Sequence, residues 1–326
     1  MNQIGRRYGH RTFARRGSAR GKGIGFGAAV LAALLFSKPG ENTVYETEVL
    51  TSALASETPF GVSEIVTTGP RLIALASLQM PKLALQSPPW RRFASVAQIR
   101  AGQPAIAIVM DDLGGSLNQV EDVLGLDPAL TLSFLPGGAD APRFAAMAHE
   151  AGHDVMIHMP MEPNDPGLNP GKGALLTDQD AAMLGRSLNQ SLDRFDGYVG
   201  INNHMGSRFT RDRRAMTVVL DELKARGLMF LDSKTTLGSQ APDLAKGLRL
   251  PLAERDVFID DDSTPEAIAG QLARLENLAR ERGVAVAIGH PHATTLGALR
   301  EWLLIARARG FAIVPISYVA ALNCDC

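Results

Sequence analysis

The sequence predicts an α/β domain: a (β/α) barrel of seven or eight parallel strands, irregular or incomplete in its closure. Three observations predict it. One phrase recurs, a helix end followed by a glycine and then an apolar run, in "HEAGHDVMIHM", "LKARGLMFLDS", "ARERGVAVAIGH" and "ARARGFAIVPIS". The apolar runs are continuous, as parallel strands buried on both faces are. The stretches between them are amphipathic at helical period. An open doubly wound sheet is the alternative, although the first strand is followed by "DDLGGS", which is neither a G-x-G-x-x-G nor a Walker pattern.

The elements follow in order. Strands are expected near residues 105–110, 130–135, 154–158, 197–201, 228–232, 248–251, 284–289 and 311–315. Gly152, Gly227, Gly283 and Gly310 fall where a helix must stop in a left-handed residue. Leu184, Leu188, Leu192 and Phe195 share one helical stripe, and Ile268, Leu272, Leu275 and Ala279 share another. Thr177 with Asp180, and Ser263 with Glu266, have capping-box spacing, and Pro265 suits a first helical turn. Trp302 lies in a helix and is expected to be packed.

The chain has 326 residues and a net charge of −1, which argues against a general nucleic-acid binder. Residues 1–22 carry seven basic and no acidic side chains. Residues 23–36, "GIGFGAAVLAALLF", are uncharged and mostly apolar. A basic stretch followed by an apolar run is the pattern of a signal anchor, with the arginines kept inside. The alternative is a basic tail followed by a buried helix. Residues 37–102 lack sustained periodicity and scatter proline, serine and threonine, so they are expected to be a largely disordered linker. The folded domain is expected over residues 103–320. The two cysteines, Cys324 and Cys326, sit together at the C-terminus, too close for a zinc site by themselves. A body without cysteine suits an oxidising compartment.

The chemistry gathers at strand ends. In "AIAIVMDDLGGS", from Ala105 to Ser116, a buried strand runs into two adjacent aspartates. Two neighbouring carboxylates repel, and a plain turn needs at most one of them. In either α/β architecture ligands bind at the carboxyl ends of strands. Those ends carry Asp111 and Asp112, then His158, His204, Asp232, and His290 with His292. Four of the chain's seven histidines therefore fall on one rim. An Asp/His/His set can hold a catalytic divalent metal, zinc being the best suited, with a position left open for water. One aspartate then has a metal to bind, its neighbour a proton to take, and a histidine across the site a proton to give. The metal charge also offsets the repulsion between the two carboxylates.

"IVMDD", "AGHDVMIH" and "AIGHPH", together with "HMPMEP" and "GINNHMGSRFT", resemble the motifs of the polysaccharide deacetylases with a NodB-like domain, and are most similar to the divergent branch of that family. The resemblance covers roughly Pro104 to Ser317. It implies that Asp111 is the base, Asp112 a metal ligand, His158 the first metal histidine and His290 the general acid. The ordinary family carries a second metal histidine four residues after the first. Here that position is Glu162, and the resemblance to the divergent branch implies His204 as its replacement. Glu162 is an alternative ligand for metal or substrate. Asp232 is a candidate to orient His290, with a turn role as the alternative. Arg208 is a candidate to steady Asp111 or bind substrate, with a surface ion pair as the alternative. His292 is a further candidate on the same rim. Asp260 to Ser263, "DDDS", is expected to be a solvated loop entering a helix. The implied activity is removal of N-acetyl groups from a polysaccharide or a peptidoglycan-derived glycan in the cell envelope, by a protein anchored in the inner membrane or exported. The alternative is a non-catalytic envelope protein that keeps a metal and binds glycan or a protein partner.

Overall fold

In a computed structural model the chain is described from residue 87 to residue 324. The basic tail, the apolar segment and most of the linker lie outside these residues. Among the described residues no helix is long and apolar enough to cross a membrane.

The recurrent phrase of the sequence becomes the repeating unit of the fold. Helix and strand alternate through β1 (Ala105–Leu113), β2 (Thr131–Phe134), β3 (Asp154–Met161), β4 (Gly200–Met205), β5 (Met229–Asp232), β6 (Leu252–Glu254), β7 (Val257–Phe258), β8 (Val284–Gly289) and β9 (Ala312–Ile313). Gly152, Gly227, Gly283 and Gly310 all have positive φ, as required of the residues that end the preceding helices. The two apolar stripes are buried, one on the helix Ala181–Leu192 and just beyond it, the other on the helix Pro265–Arg282.

Every strand pair is parallel, and eight strands run in the order β6-β5-β4-β3-β2-β1-β8-β7, with β9 joined to β1. That order forces curvature. The two edge strands are separated in sequence only by Arg255 and Asp256. Such a connection reaches at most about 10 Å, whereas eight strands laid flat would hold their edges ~34 Å apart. The sheet therefore curls into an open half-barrel.

Strand parity divides the core. Ile106, Ile108 and Met110 face the outer helices, while Ala105, Ala107 and Val109 belong to a second cluster inside the curl. Met156, Met229, Leu231, Val286 and Ile288 share the inner cluster. The helix Ile316–Leu322 closes the inner cluster at the amino end of the strands, where Ile316, Val319 and Ala320 pack into it. Its first turn is held by buried polar groups of the sheet: Ile316 N–H donates to Thr131 Oγ1 at 3.0 Å and Ser317 N–H to Asp154 Oδ2 at 2.9 Å.

Several details depart from expectation. The strand placed near 248–251 begins at Leu252, because the preceding helix runs to Leu248. β7 has only two residues, too short for any periodicity to reveal. The helix caps are Asp180 and Thr264, each accepting a backbone N–H three residues on, and the Thr177 hydroxyl is used elsewhere. The boundary near Gln103 also moves upstream. A short helix, Pro89–Arg92, places Trp90 at 4% exposure in the inner cluster. Trp90 N–H donates to Gly227 O at 3.1 Å, and Ser95 N–H to Asp154 Oδ1 at 2.7 Å. Proline and serine content suggested a linker here, but a single tryptophan with a place to bury outweighs it. Trp90→Ala is expected to destabilise the domain by ~3–5 kcal/mol, read as a lowered melting temperature. An unchanged melting temperature would show that this segment holds nothing.

Candidate metal centre

Parity also builds the site. Continuing each strand's inner row past its last apolar residue gives Asp111 on β1, Ser133 on β2, His158 on β3, Asn202 and His204 on β4, Ser233 after β5, Asp260 after β7 and His290 after β8. Apolar side chains fill the lower barrel, and polar ones form its upper layer. Asp112 is the exception, since simple alternation would turn it outward. It takes φ 58°, and the pairing of β1 with β2 shifts register between Met110 and Leu113. A left-handed non-glycine residue carries strain, and here the strain turns a second carboxylate into the site. Met205, which follows His204, is likewise left-handed at φ 53°.

Asp112 Oδ1 lies 3.1 Å from His158 Nε2 and 2.9 Å from His204 Nδ1, and those two nitrogens are 3.2 Å apart. This buried oxygen has no hydrogen-bond partner of acceptable geometry. Donors that share an ion at about 2.0–2.2 Å, at angles of ~90–110°, lie about 2.8–3.6 Å from one another. All three edges fall in that range, so the set fits a divalent metal. Burial raises the Asp112 carboxyl, but the flanking imidazoles more than reverse this, leaving it well below the usual carboxylate range and ionised for an ion.

Asp111 and His290 flank this triangle. Asp111 Oδ2 is 3.6 Å from His158 Nε2, and its carboxylate takes hydrogen bonds from Asn202 Nδ2 at 2.9 Å to each oxygen. Its burial raises its pKa, and the charges of His158 and His290 with the Asn202 bond only partly oppose that. His290 Nε2 lies 3.8 Å from Asp112 Oδ2. Its Nδ1 is 2.9 Å from Asp260 Oδ1, and Asp260 Oδ2 accepts from the His290 backbone N–H and from Thr295 Oγ1. Burial lowers the His290 pKa, but the bond to Asp260 and the charges of Asp111, Asp260 and Asp112 outweigh it, so the ring is raised. Asp260, His290 and His292 also lie close enough to suggest a second ion. Both Asp260 oxygens are already occupied by donors, however, so that group reads as an oriented acid.

Asp260 and Asn202 are residues of this site that the sequence pattern does not single out. Asp260 was expected on a solvated loop, yet it is buried at 6% exposure. "VFID", an apolar run ending in a carboxylate, was the available signal. The role expected of Asp232 falls to it instead. Asp232 sits on the outer row with Phe230, five steps from β8 in the strand order, and accepts from Lys234 N–H at 2.8 Å. Arg208 does not steady Asp111. It pairs with Glu162 at 3.4 Å, and Asn202 holds Asp111. Glu162 is not among the converging ligands. Its Oε2 accepts from the Thr177 backbone N–H at 2.7 Å and hydroxyl at 2.6 Å. Glu162→Gln is accordingly expected to leave metal stoichiometry unchanged in elemental analysis; a loss of metal would return Glu162 to the ligand set. His292 precedes the helix Ala293–Ala308, exposed, with its ring 5.9 Å from that of His290.

The family profile described as divergent polysaccharide deacetylase matches residues 108–320, a span that includes every residue of this site. The uncharacterized protein YibQ of Escherichia coli is 35% identical over 231 residues, covering 71% of this chain and 67% of that protein. An uncharacterized protein of Haemophilus influenzae is 31% identical over 201 residues, covering 62% of this chain and 71% of that one. The crystal structure of an uncharacterized protein from Agrobacterium tumefaciens superposes with a TM-score of 0.69 at 30% identity, covering 71% of this chain and 95% of that chain.

Proposed function

We propose that this chain, which belongs to the divergent polysaccharide deacetylase family, is a metal-dependent hydrolase that removes N-acetyl groups from an envelope glycan. The observation that carries the reading is the Asp112/His158/His204 triangle with Asp111 on one side and His290 on the other. Asp112, His158 and His204 would hold the ion, and a carboxylate with two imidazoles favours zinc. A bound zinc lowers the pKa of water towards ~7 and polarises a carbonyl oxygen.

The chain's own residues supply the proton transfers. Asp111 accepts the proton from the attacking water; a carboxylate whose pKa is raised by burial is a stronger base. Asn202 keeps both of its oxygens aimed at the site. His290 donates from Nε2 to the departing amine, because Asp260 holds its Nδ1 on the far side of the ring. The upward shift of the His290 pKa, through its bond to Asp260 and the nearby carboxylates, favours the protonated ring that this step needs. The product amine and acetate then leave from an open rim at the strands' carboxyl ends. The basic tail and apolar segment of residues 1–36 support placement of this activity at the inner membrane or beyond it.

The test is acetate release from chitin oligomers and peptidoglycan fragments, measured before and after removal of metal and on its restoration. Release that depends on metal is expected. Tight metal binding without release from any N-acetylated glycan would favour a non-catalytic glycan- or protein-binding role.

A further inference from the structure

Asn202 is fully buried on β4, and its side-chain amide meets groups from four other strands or strand ends. Nδ2 donates to both Asp111 oxygens at 2.9 Å and to Ser233 Oγ at 3.3 Å. Oδ1 accepts from Ser133 Oγ at 2.6 Å and faces His158 Nδ1 at 2.9 Å. The bond directions are not independent. A carboxylate only accepts, so the nitrogen end of the amide must face Asp111. The oxygen end then faces His158 and can only accept, so His158 Nδ1 must carry its proton. In the neutral ring that binds a metal, Nε2 is then left with the lone pair, and Nε2 is the atom 3.1 Å from Asp112 Oδ1, at the ion position. Ser133 Oγ, which can donate or accept, donates to the oxygen end in this orientation.

We infer that Asn202 is a positioning residue that sets two groups with one amide, aiming Asp111 as the base and locking His158 in the tautomer that presents Nε2 to the metal. This rests on the metal-site reading given above. A neutral amide in this place orients the histidine, while a carboxylate, the commoner partner of a metal-bound imidazole, would also make it more basic.

The two roles separate under substitution. Asn202→Ala removes the acceptor of His158 and is expected to weaken cobalt binding ~10–100-fold, read from the visible absorption of the cobalt-loaded protein under chelator competition. Asn202→Asp keeps an acceptor for His158, so cobalt binding is expected to stay within about threefold or tighten, by the same reasoning. That variant cannot donate to an ionised Asp111, so acetate release is expected to fall towards that of Asp111→Asn. Nitrogen-15 spectra of the zinc-loaded wild-type protein supply a readout that needs no variant: His158 should show a protonated Nδ1 and a metal-bound Nε2.

Binding through Nδ1 overturns the inference. So does equal weakening by both variants, which a merely structural role would give, and so does a fully active Asn202→Asp. A wild-type protein that binds no cobalt overturns the metal-site reading and this inference together. A wild-type protein that binds cobalt but releases no acetate overturns the deacetylase reading and, with it, the aiming of Asp111 as a base, while the tautomer and affinity arms still decide the role toward His158.

Discussion

Replacing His158 by alanine is expected to strip the protein of its metal. The side chain is 2% exposed, its Nε2 forms one corner of the ligand triangle, and no other imidazole is placed to take over that corner among the described residues. Losing an outer partner of a ligand typically costs 10–100-fold in affinity, so losing the ligand itself should cost more than about 100-fold. Asp112→Asn should act in the same direction. It keeps the shape but removes the negative charge, which the low pKa of this carboxyl keeps in place. Elemental analysis of the purified variants, followed by cobalt titration, measures both. Wild-type stoichiometry in His158→Ala and Asp112→Asn alike would mean that the aspartate pair is an ordinary turn and the triangle accidental.

Asp111→Asn and His290→Ala should fail in the opposite way, keeping metal while losing ~10²–10⁴ in rate, the usual worth of a positioned base or acid. Neither side chain contributes an atom to the triangle, and each stands beside it, at 3.6 Å from His158 Nε2 and 3.8 Å from Asp112 Oδ2 respectively. Asp260→Asn should resemble a milder His290→Ala, because it weakens the hold on Nδ1 without removing the ring. The discriminating result is the crossed pattern: turnover lost with metal kept at Asp111, metal lost at Asp112. If Asp111→Asn releases the metal and Asp112→Asn does not, the roles of the neighbours are exchanged.

The alternation of helix, glycine and apolar run was enough to specify a parallel α/β domain, because each piece is local: a left-handed stop, an amphipathic stripe, a buried strand. The same local order put Asp111, Asp112, His158, His204 and His290 at strand ends, where any ligand of such a sheet must bind. Parity along a strand is also a local property, and it correctly aims Asp111, His158, His204 and His290 inward.

What parity cannot supply is which strand lies beside which. β7 neighbours β8, so Asp260 reaches His290, while Asp232 lies on the outer face of β5. Asn202 lies within "GINNHMGSRFT", yet nothing local gives it a role; the role proposed for it arises because β1, β2, β3 and β5 bring Asp111, Ser133, His158 and Ser233 around one amide. Trp90 was legible as an aromatic in a proline-rich stretch but not as part of the core, since the cluster it joins is assembled from several strands and a C-terminal helix, as far along the chain as Ala320. Asp112 breaks parity through a left-handed backbone that only the surrounding packing can hold. The sequence by itself determined which residue types meet at the rim. The tertiary structure decided their partners, because hydrogen bonds between strands depend on the curl and register of the whole sheet, and no local pattern encodes those.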